Sequence, residues 1–183
     1  MLIFKTTGLV LKIHKVGEKE FLYTIFTKDY GKIICQKKLA KHEKTLDIGY
    51  IFQCEIETKE EKKIHKMRNI KITSDFSIEK KGFHILQKYM ELLAYILHNT
   101  PQNVPIFQVV EIVEHLHRYE NITTEKLLLG KLKLAHIFGL LGEDHNNQTV
   151  KKILGFIHQK QFSEIIRLSG IEESIKKELE KCF

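Results

Sequence analysis

The stretch that decides the fold is FTKDYGKIICQKKLAKHEKT, residues 26–45. Its first half, through Cys35, alternates apolar and polar residues around Gly31, which is the pattern of two strands joined by a tight turn. A glycine suits that turn because it adopts positive φ without strain. The second half carries four lysines within eight positions: Lys37, Lys38, Lys41 and Lys44. The sequence therefore predicts a hairpin followed by a basic loop.

The strand pattern extends over the first 75 positions. Segments rich in Ile, Val, Phe, Tyr and Thr predict strands at 7–15, 20–27, 32–37, 49–58 and 62–73. In the first of them, strict alternation places Leu9, Leu11 and Ile13 on one face. Five short strands with a long connection after the third are typical of a small closed barrel. Both an OB-fold, which binds oligonucleotides, and an SH3-like barrel fit this pattern.

Beyond residue 76 the apolar residues recur with helical spacing. Amphipathic helices are predicted at 82–98 and 105–120, and Thr123 or Thr124 can cap a third, nearly all-apolar helix that runs to Leu141. Shorter helices are predicted at 149–159, 161–169 and 171–182. The predicted fold class is α+β in two domains. A five-stranded OB-fold β-barrel occupies residues 1–75, and an all-α helical domain occupies residues 76–183.

The net charge of +7 is concentrated in the predicted barrel. Residues 1–75 hold 16 Lys and Arg against 10 Asp and Glu, whereas the remainder holds 14 against 13. A basic half beside a nearly neutral half indicates an anionic partner for the basic half. Of the 30 cationic residues 27 are lysines, which favours contact with a phosphate backbone over reading of bases. Codon bias is an equally good explanation of the lysine excess.

The three cysteines are an odd number, widely spaced and without a CxxC motif, which fits a reducing cytoplasm better than a disulfide framework. The start of the chain lacks the pattern of a signal peptide, and the apolar runs are much shorter than the ~20 residues of a membrane span. We therefore expect a cytoplasmic protein without a membrane partner.

Motifs for catalysis, metal binding and cofactor binding are not found in the sequence. The histidines are scattered without an HExxH pattern, and GxSxG, GxGxxG and the Walker-type phosphate loop are missing. The pair Glu55 and Glu57 shares one face of a strand, where two solvated acids are a commoner explanation than a catalytic pair. We expect no enzyme, no metal and no cofactor.

The candidate site is a set of cations that could contact phosphates, with one aromatic residue. Tyr30, in a turn beside Lys28 and Lys32, is the best candidate for stacking on a base, although a structural role at the turn is the alternative. The predicted DNA-binding residues are Lys12, Lys15, Tyr30, Lys37, Lys38, Lys41 and Lys44. The other interpretation of the lysine cluster is an ordinary solvated loop. An apolar groove between the predicted helices could take a partner peptide, but core packing explains those residues first.

Several segments resemble the RecO family of bacterial recombination mediators and DNA-repair proteins. TGLVLKIHKVGEKEFLYTIFTKDYGKI (7–33) resembles the opening of that family, with Val10–Leu11, Gly17–Glu18, Phe26–Thr27 and Gly31–Lys32 in the matching places. YMELLAYILHN (89–99) is similar to the helix that opens the family's helical domain. LLLGKLKLAHIFGLLG (127–142) is similar to its leucine-rich helix. The resemblance spans about 7–142.

The resemblance implies an OB-fold on a helical body, and binding and annealing of single-stranded DNA. It also implies loading of recombinase onto gaps coated by single-stranded DNA-binding protein. The implied partners are RecR and the acidic, apolar C-terminal tail of the coating protein, held by the helical domain. EDHNNQTVKK replaces the zinc-binding cysteine module of many relatives, and the basic loop lacks the family's Gly-Ala-Arg run. Two alternatives are an OB-type RNA-binding protein of translation and a protein–protein adaptor that touches no nucleic acid.

Overall fold

The computed structural model of the chain describes residues 2–40, 43, 45–58, 63–76, 82–142 and 145–183. Five strands precede six helices, so the predicted order of a β region followed by an α region is confirmed. The strands are β1 (Leu2–Lys15), β2 (Glu20–Thr27), β3 (Gly31–Lys38), β4 (Ile51–Thr58) and β5 (Ile64–Ser74). The helices are α1 (Phe83–Asn99), α2 (Phe107–Arg118), α3 (Thr124–Ile137), α4 (Gln148–Gln159), α5 (Phe162–Ile165) and α6 (Glu173–Leu179).

The strands pair in the closed order β1-β2-β3-β5-β4. All neighbours are antiparallel except β3 and β5, which are parallel and pair at Ile34, Cys35 and Gln36. The long strand β1 belongs to both sides of the closure, because its first half pairs with β4 and its second half with β2. Alternate residues of all five strands fill the interior, among them Tyr23, Ile25 and Phe52.

The β2–β3 hairpin has the predicted turn. Gly31 adopts φ +69°, and a Cβ atom at this position would lie 2.2 Å from the carbonyl oxygen of Val104. The same turn is held by the Thr27 hydroxyl, which donates to the Gly31 carbonyl at 3.1 Å. Glycine is therefore required here twice over, by the backbone angle and by the close approach of the segment before α2.

Strand β1 departs from the predicted alternation. A β-bulge lies between Val10 and Lys12, so Leu11 is an extra residue without a partner in β2. Leu9 and Leu11 both pack against the helices, whereas Ile13 packs against the barrel interior with Val10. The prediction that Leu9, Leu11 and Ile13 share one face is therefore wrong at Ile13, because a bulge shifts the face of every residue after it.

The helices pack on one row of residues, which lie opposite one another on neighbouring strands across all five strands. Its members, in register from β3 to β5, are Lys32, Phe26, Leu9, Ile51 and Ser74. We call these residues the helix-facing row. The apolar members Leu9, Phe26 and Ile51 belong to the same buried cluster as the helix core. The barrel and the helical body therefore share a hydrophobic core.

Polar contacts fix the same interface. The buried Tyr89 hydroxyl donates to the Gly49 carbonyl at 3.1 Å and lies 2.7 Å from Nε2 of His117. Nδ1 of His117 lies 2.7 Å from the Ser74 hydroxyl, and Phe76 stacks on Tyr89 with ring centroids 3.8 Å apart. These connected side chains thus hold the end of β5, and the loop before β4, against α1 and α2.

The apolar helix α3 lies at the centre of the helical body, in contact with all the other helices. Thr123 caps its first turn by accepting a hydrogen bond from the Lys126 N–H. The helix ends before the predicted Leu141. Gly139 takes φ +69°, and the N–H groups of Gly139 and Leu140 bond the carbonyls of His136 and Ala135 in a Schellman motif. Gly139 therefore ends α3.

Candidate nucleic-acid interface

A second row of residues lies on the outer surface of the barrel. Along β2 and β3 it is four positions away from the helix-facing row. In register from β1 through β2, β3, β5 and β4 and back to β1, it consists of His14, Leu22, Gln36, Lys66, Glu57 and Ile3. Four residues of a strand extend about 13 Å. This surface therefore lies clear of the helices that cover the other row.

A groove follows this second row between β3 and β5. It is lined by Glu20, Gln36, Lys37, Lys38, Lys66, Met67 and Arg68, and we call it the basic groove. Four of these seven residues are cations and one is an acid. That acid, Glu20, accepts a hydrogen bond from the Gln36 amide at 2.6 Å, which holds it on the β2–β3 side of the groove.

Lys38 and Lys66 are the cations of the groove that are free to meet a ligand. Both are exposed, and within the described part of the chain neither has a carboxylate oxygen within 4.0 Å of its ammonium group. Arg68 is different, because its guanidinium lies 2.6 Å from a carboxylate oxygen of the buried Glu57. Since an arginine fork has five N–H donors, that contact orients the side chain and leaves other donors facing solvent.

The predicted site residues of β1 lie two strands from the β3 side of the groove. Lys12 is exposed on the outer face and opposes Thr24, three strand spacings, or about 14 Å, from β5. Lys15 opposes Phe21, which in turn opposes Lys37, so Lys15 and Lys37 occupy one row at the mouth of the barrel. Lys12 and Lys15 likewise have no carboxylate within 4.0 Å among the described residues.

Lys37 is held by an internal partner. Its ammonium lies 2.8 Å from Oε1 of Glu43, and its side chain is only 14% exposed. The bond to Lys37 is the main reason why the pKa of Glu43 lies below its ordinary value. Lys37 is one of the residues that line the basic groove, but in this conformation its charge is directed at Glu43. The predicted residues Lys41 and Lys44 lie outside the described residues.

Tyr30 lies away from the lysines with which it was grouped. It belongs to the turn that joins Thr27 to Gly31, whereas Lys38 opposes Glu20 at the far end of the hairpin. The seven residue steps from one pair to the other span about 23 Å. The Tyr30 ring is 38% exposed and packs on Phe4 with centroids 3.8 Å apart. The structure thus favours the alternative of a structural role at the turn.

Sequence reasoning missed Lys66 and Arg68. They follow Lys38 by 28 and 30 positions, and only the parallel pairing of β3 with β5 brings them beside it. The available signal was the alternation of β5, in which Met67 is buried while Lys66 and Arg68 are exposed. That alternation places both cations on the outer face but does not say which strand lies next to them.

A second cleft lies between α1, α3 and α6 and is lined by both charged and apolar side chains. Two of its lysines are paired, because Lys88 lies 3.0 Å from Glu91 and Lys176 lies 3.6 Å from Glu125. Lys131 instead lies over the Phe183 ring, 4.1 Å from its centroid. Burial lowers the pKa of Lys131, as expected for an ammonium that has lost part of its water.

Other kinds of site find little support in the described ranges. No group of three or more His, Cys, Asp or Glu side chains there could hold a metal ion. The three cysteines are free and buried, and burial raises the pKa of the Cys54 thiol to about 12. Among the helices of the described residues, none combines the length and the apolar character needed to cross a bilayer.

Neither a scan against protein-family models nor a search of curated proteins finds a match to this chain.

Proposed function

We propose that this chain is a RecO-like DNA-repair protein that binds single-stranded DNA along the basic groove. The observation that carries the proposal is the exposed pair Lys38 and Lys66, on neighbouring strands, neither of which has a carboxylate partner among the described residues. Lysine contacts to phosphates release condensed counterions, which supplies sequence-independent affinity. Arg68 adds a further cation within the groove, and Lys12 and Lys15 on β1 extend the positive surface beyond it.

The strand order supports an OB-fold as the scaffold. In OB-folds the β2–β3 face and the loops β1–β2 and β4–β5 bind oligonucleotides. The basic groove lies beside that face, and the Leu39 N–H donates to the Lys19 carbonyl at 2.8 Å, which ties the start of the basic loop to the β1–β2 turn. We assign residues 1–75 to this nucleic-acid-binding domain and residues 76–183 to the helical domain.

The biological role that we propose is that of a non-enzymatic, cytoplasmic recombination mediator. Two DNA strands held against lysines repel each other less, which promotes annealing. The role in loading recombinase and the partnership with RecR rest on the family resemblance. For the tail of the coating protein, the cleft between α1, α3 and α6 offers the partly buried Phe183 beside Lys131. Titration of a labelled acidic, apolar peptide against the chain tests this assignment.

The main test compares two double variants that make the same change in net charge. Lys38→Glu with Lys66→Glu reverses both free cations of the groove, and we expect at least a tenfold loss of affinity for an oligothymidylate. Lys151→Glu with Lys152→Glu reverses two exposed lysines of α4 and should leave the affinity within about twofold. Fluorescence anisotropy at two salt concentrations measures both affinity and salt dependence.

The outcomes separate the three candidate functions. Equal losses in the two double variants would reject the groove in favour of a general charge effect. Tighter binding of a matched RNA oligonucleotide would replace the proposal with the RNA-binding alternative, because only a contact to the 2′-hydroxyl distinguishes the two. If the unmodified chain binds neither nucleic acid, the protein–protein adaptor is the function that remains.

A further inference from the structure

The carboxylate of Glu43 is held by two donors of the basic loop. Its Oε1 lies 2.8 Å from the Lys37 ammonium, and its Oε2 accepts a hydrogen bond from the Ala40 N–H at 3.1 Å. The Glu43 N–H donates in return to the Ala40 carbonyl at 3.2 Å. An ammonium group and a backbone N–H thus converge on one anion, which is an arrangement that proteins also use for phosphate oxygens.

The backbone that carries the two donors is held by the barrel rather than by Glu43. Lys37 opposes Phe21 in the β2–β3 ladder, and it is the immediate neighbour of Lys38 in the basic groove. Ala40 follows Leu39, whose N–H is bonded to the Lys19 carbonyl. Removal of the Glu43 carboxylate would therefore leave the backbone of Lys37 and of Leu39 in place, next to Lys38 and Lys66 in the groove.

Glu43 can be displaced at small cost. The Glu43 side chain is 33% exposed and that of Lys37 only 14% exposed. Because one anion would replace another, the Lys37 ammonium stays paired, and the exchange costs about as much as a surface ion pair contributes, roughly 0–1 kcal/mol. A phosphate that belongs to a strand already held by Lys38 and Lys66 has the advantage of high local concentration. It also gains the free energy of counterion release, which the carboxylate does not.

We propose that Lys37 and the Ala40 N–H form a phosphate subsite at the edge of the basic groove, which Glu43 fills in the free protein and yields to the nucleic-acid backbone. This inference rests on the proposed function. Lys37 lies on the opposite face of β3 from Lys38, in the row of Phe21 at the mouth of the barrel. There Glu43 masks its charge until a strand arrives. Glu43 is thereby an internal competitor that lowers the affinity of the groove.

The test is Glu43→Gln, which keeps the size of the side chain and removes its charge. Freeing one more cation should raise the affinity for an oligothymidylate roughly fivefold at 0.1 M salt and steepen the salt dependence by about 0.7 in log–log slope, the value for one single-strand contact. Adding Lys37→Gln to Glu43→Gln should abolish the gain. The matched control is Glu18→Gln, an exposed acid in the β1–β2 turn at the same side of the barrel, which should change the affinity by less than twofold.

The results distinguish the subsite from the proposed function. Equal gains in Glu43→Gln and Glu18→Gln would overturn the subsite, because they would report net charge alone. No gain in Glu43→Gln, with binding still abolished by Lys38→Glu and Lys66→Glu, would overturn the subsite and leave the groove intact. A gain that survives the addition of Lys37→Gln would also overturn it. If the unmodified chain binds no oligonucleotide, the proposed function itself is rejected.

Discussion

The two ends of strand β3 carry lysines in different environments, one packed against a helix and one exposed to solvent. Lys32, in the helix-facing row, donates to the Leu97 carbonyl in the last turn of α1 at 2.7 Å, and burial lowers its pKa. Lys38, at the other end, is exposed and has no carboxylate within 4.0 Å among the described residues. The first lysine satisfies a helix terminus, and the second is available to a ligand. Tertiary position, rather than residue type, therefore decides which cations can bind an anion.

The same difference separates the lysines near the helices from those around the basic groove. Near the helix-facing row, Lys28 lies 3.3 Å from Glu114 of α2. In the helical body, Lys133 donates to the Ile157 carbonyl at 2.8 Å and Lys126 donates to the Leu168 carbonyl. These lysines are part of the packing of the helices. The cations around the basic groove are not, which is why the groove is the better candidate for an anion site.

The largest expected effect is a loss of stability at the end of β3 that packs on the helices. Gly31→Ala should destabilise the protein by about 3 kcal/mol, because alanine is strained at φ +69° and its Cβ would meet the backbone of Val104. Chemical denaturation measures the loss. The matched control is Gly155→Ala in the interior of α4, where a Cβ meets nothing within 4 Å. It should stabilise the protein by about 0.5–1 kcal/mol. A change below about 0.5 kcal/mol in Gly31→Ala would contradict the seating of the hairpin on the helical body.

The second prediction sharpens the comparison within β3 itself. Lys32→Met should cost about 1 kcal/mol of stability through the lost hydrogen bond to Leu97, with no change in oligonucleotide affinity. Lys38→Met should leave stability within about 0.5 kcal/mol and weaken binding roughly fivefold. Denaturation and fluorescence anisotropy on both variants provide the four values. Equal losses of affinity would show that the two ends of the strand do not differ as ligand sites.

The smallest expected effect concerns pH. The pKa of Glu43 in the folded state lies below its ordinary value of 4.5, mainly because of its bond to Lys37. A depressed folded-state pKa means that the Glu43–Lys37 contact stabilises the protein above the unfolded-state pKa and is lost as the pH falls through the folded-state pKa. At pH 6 the unmodified chain should therefore exceed Glu43→Gln in stability by well under 1 kcal/mol, and this margin should vanish in acid. Denaturation curves at pH 6 and pH 3 measure it, and a margin that grows in acid would contradict the assignment.

Much of the fold was accessible from local pattern. Strands β2, β3 and β4 and the first four helices lie within a few residues of their predicted bounds, because alternation and helical spacing are properties of neighbouring residues. The positive φ of Gly31 was predictable for the same reason. The bulge at Leu11 was not, because it depends on the packing of Leu9 and Leu11 against the helices. The end of α3 at Gly139 was missed because Leu140 and Leu141 continue the apolar pattern beyond the local Schellman motif.

The candidate site was accessible only in part. Lys12, Lys15, Lys37 and Lys38 were identified from charge density and lie at one side of the barrel. Charge density could not reveal that Lys37 is masked by Glu43, or that Lys66 and Arg68 complete the groove. It also could not show that Tyr30 lies about 23 Å from the end of the hairpin that carries Lys38.

The sequence by itself determined the order of strands and helices, the hairpin turn and the excess of positive charge in the first half of the chain. These follow from periodicity, from the conformational freedom of glycine and from composition, which are local quantities. Only the tertiary structure decided which lysines are exposed and which cap a helix, because that depends on the parallel closure of β3 on β5 and on the row where the helices dock. Both are contacts between residues far apart in the chain, and no local pattern encodes them.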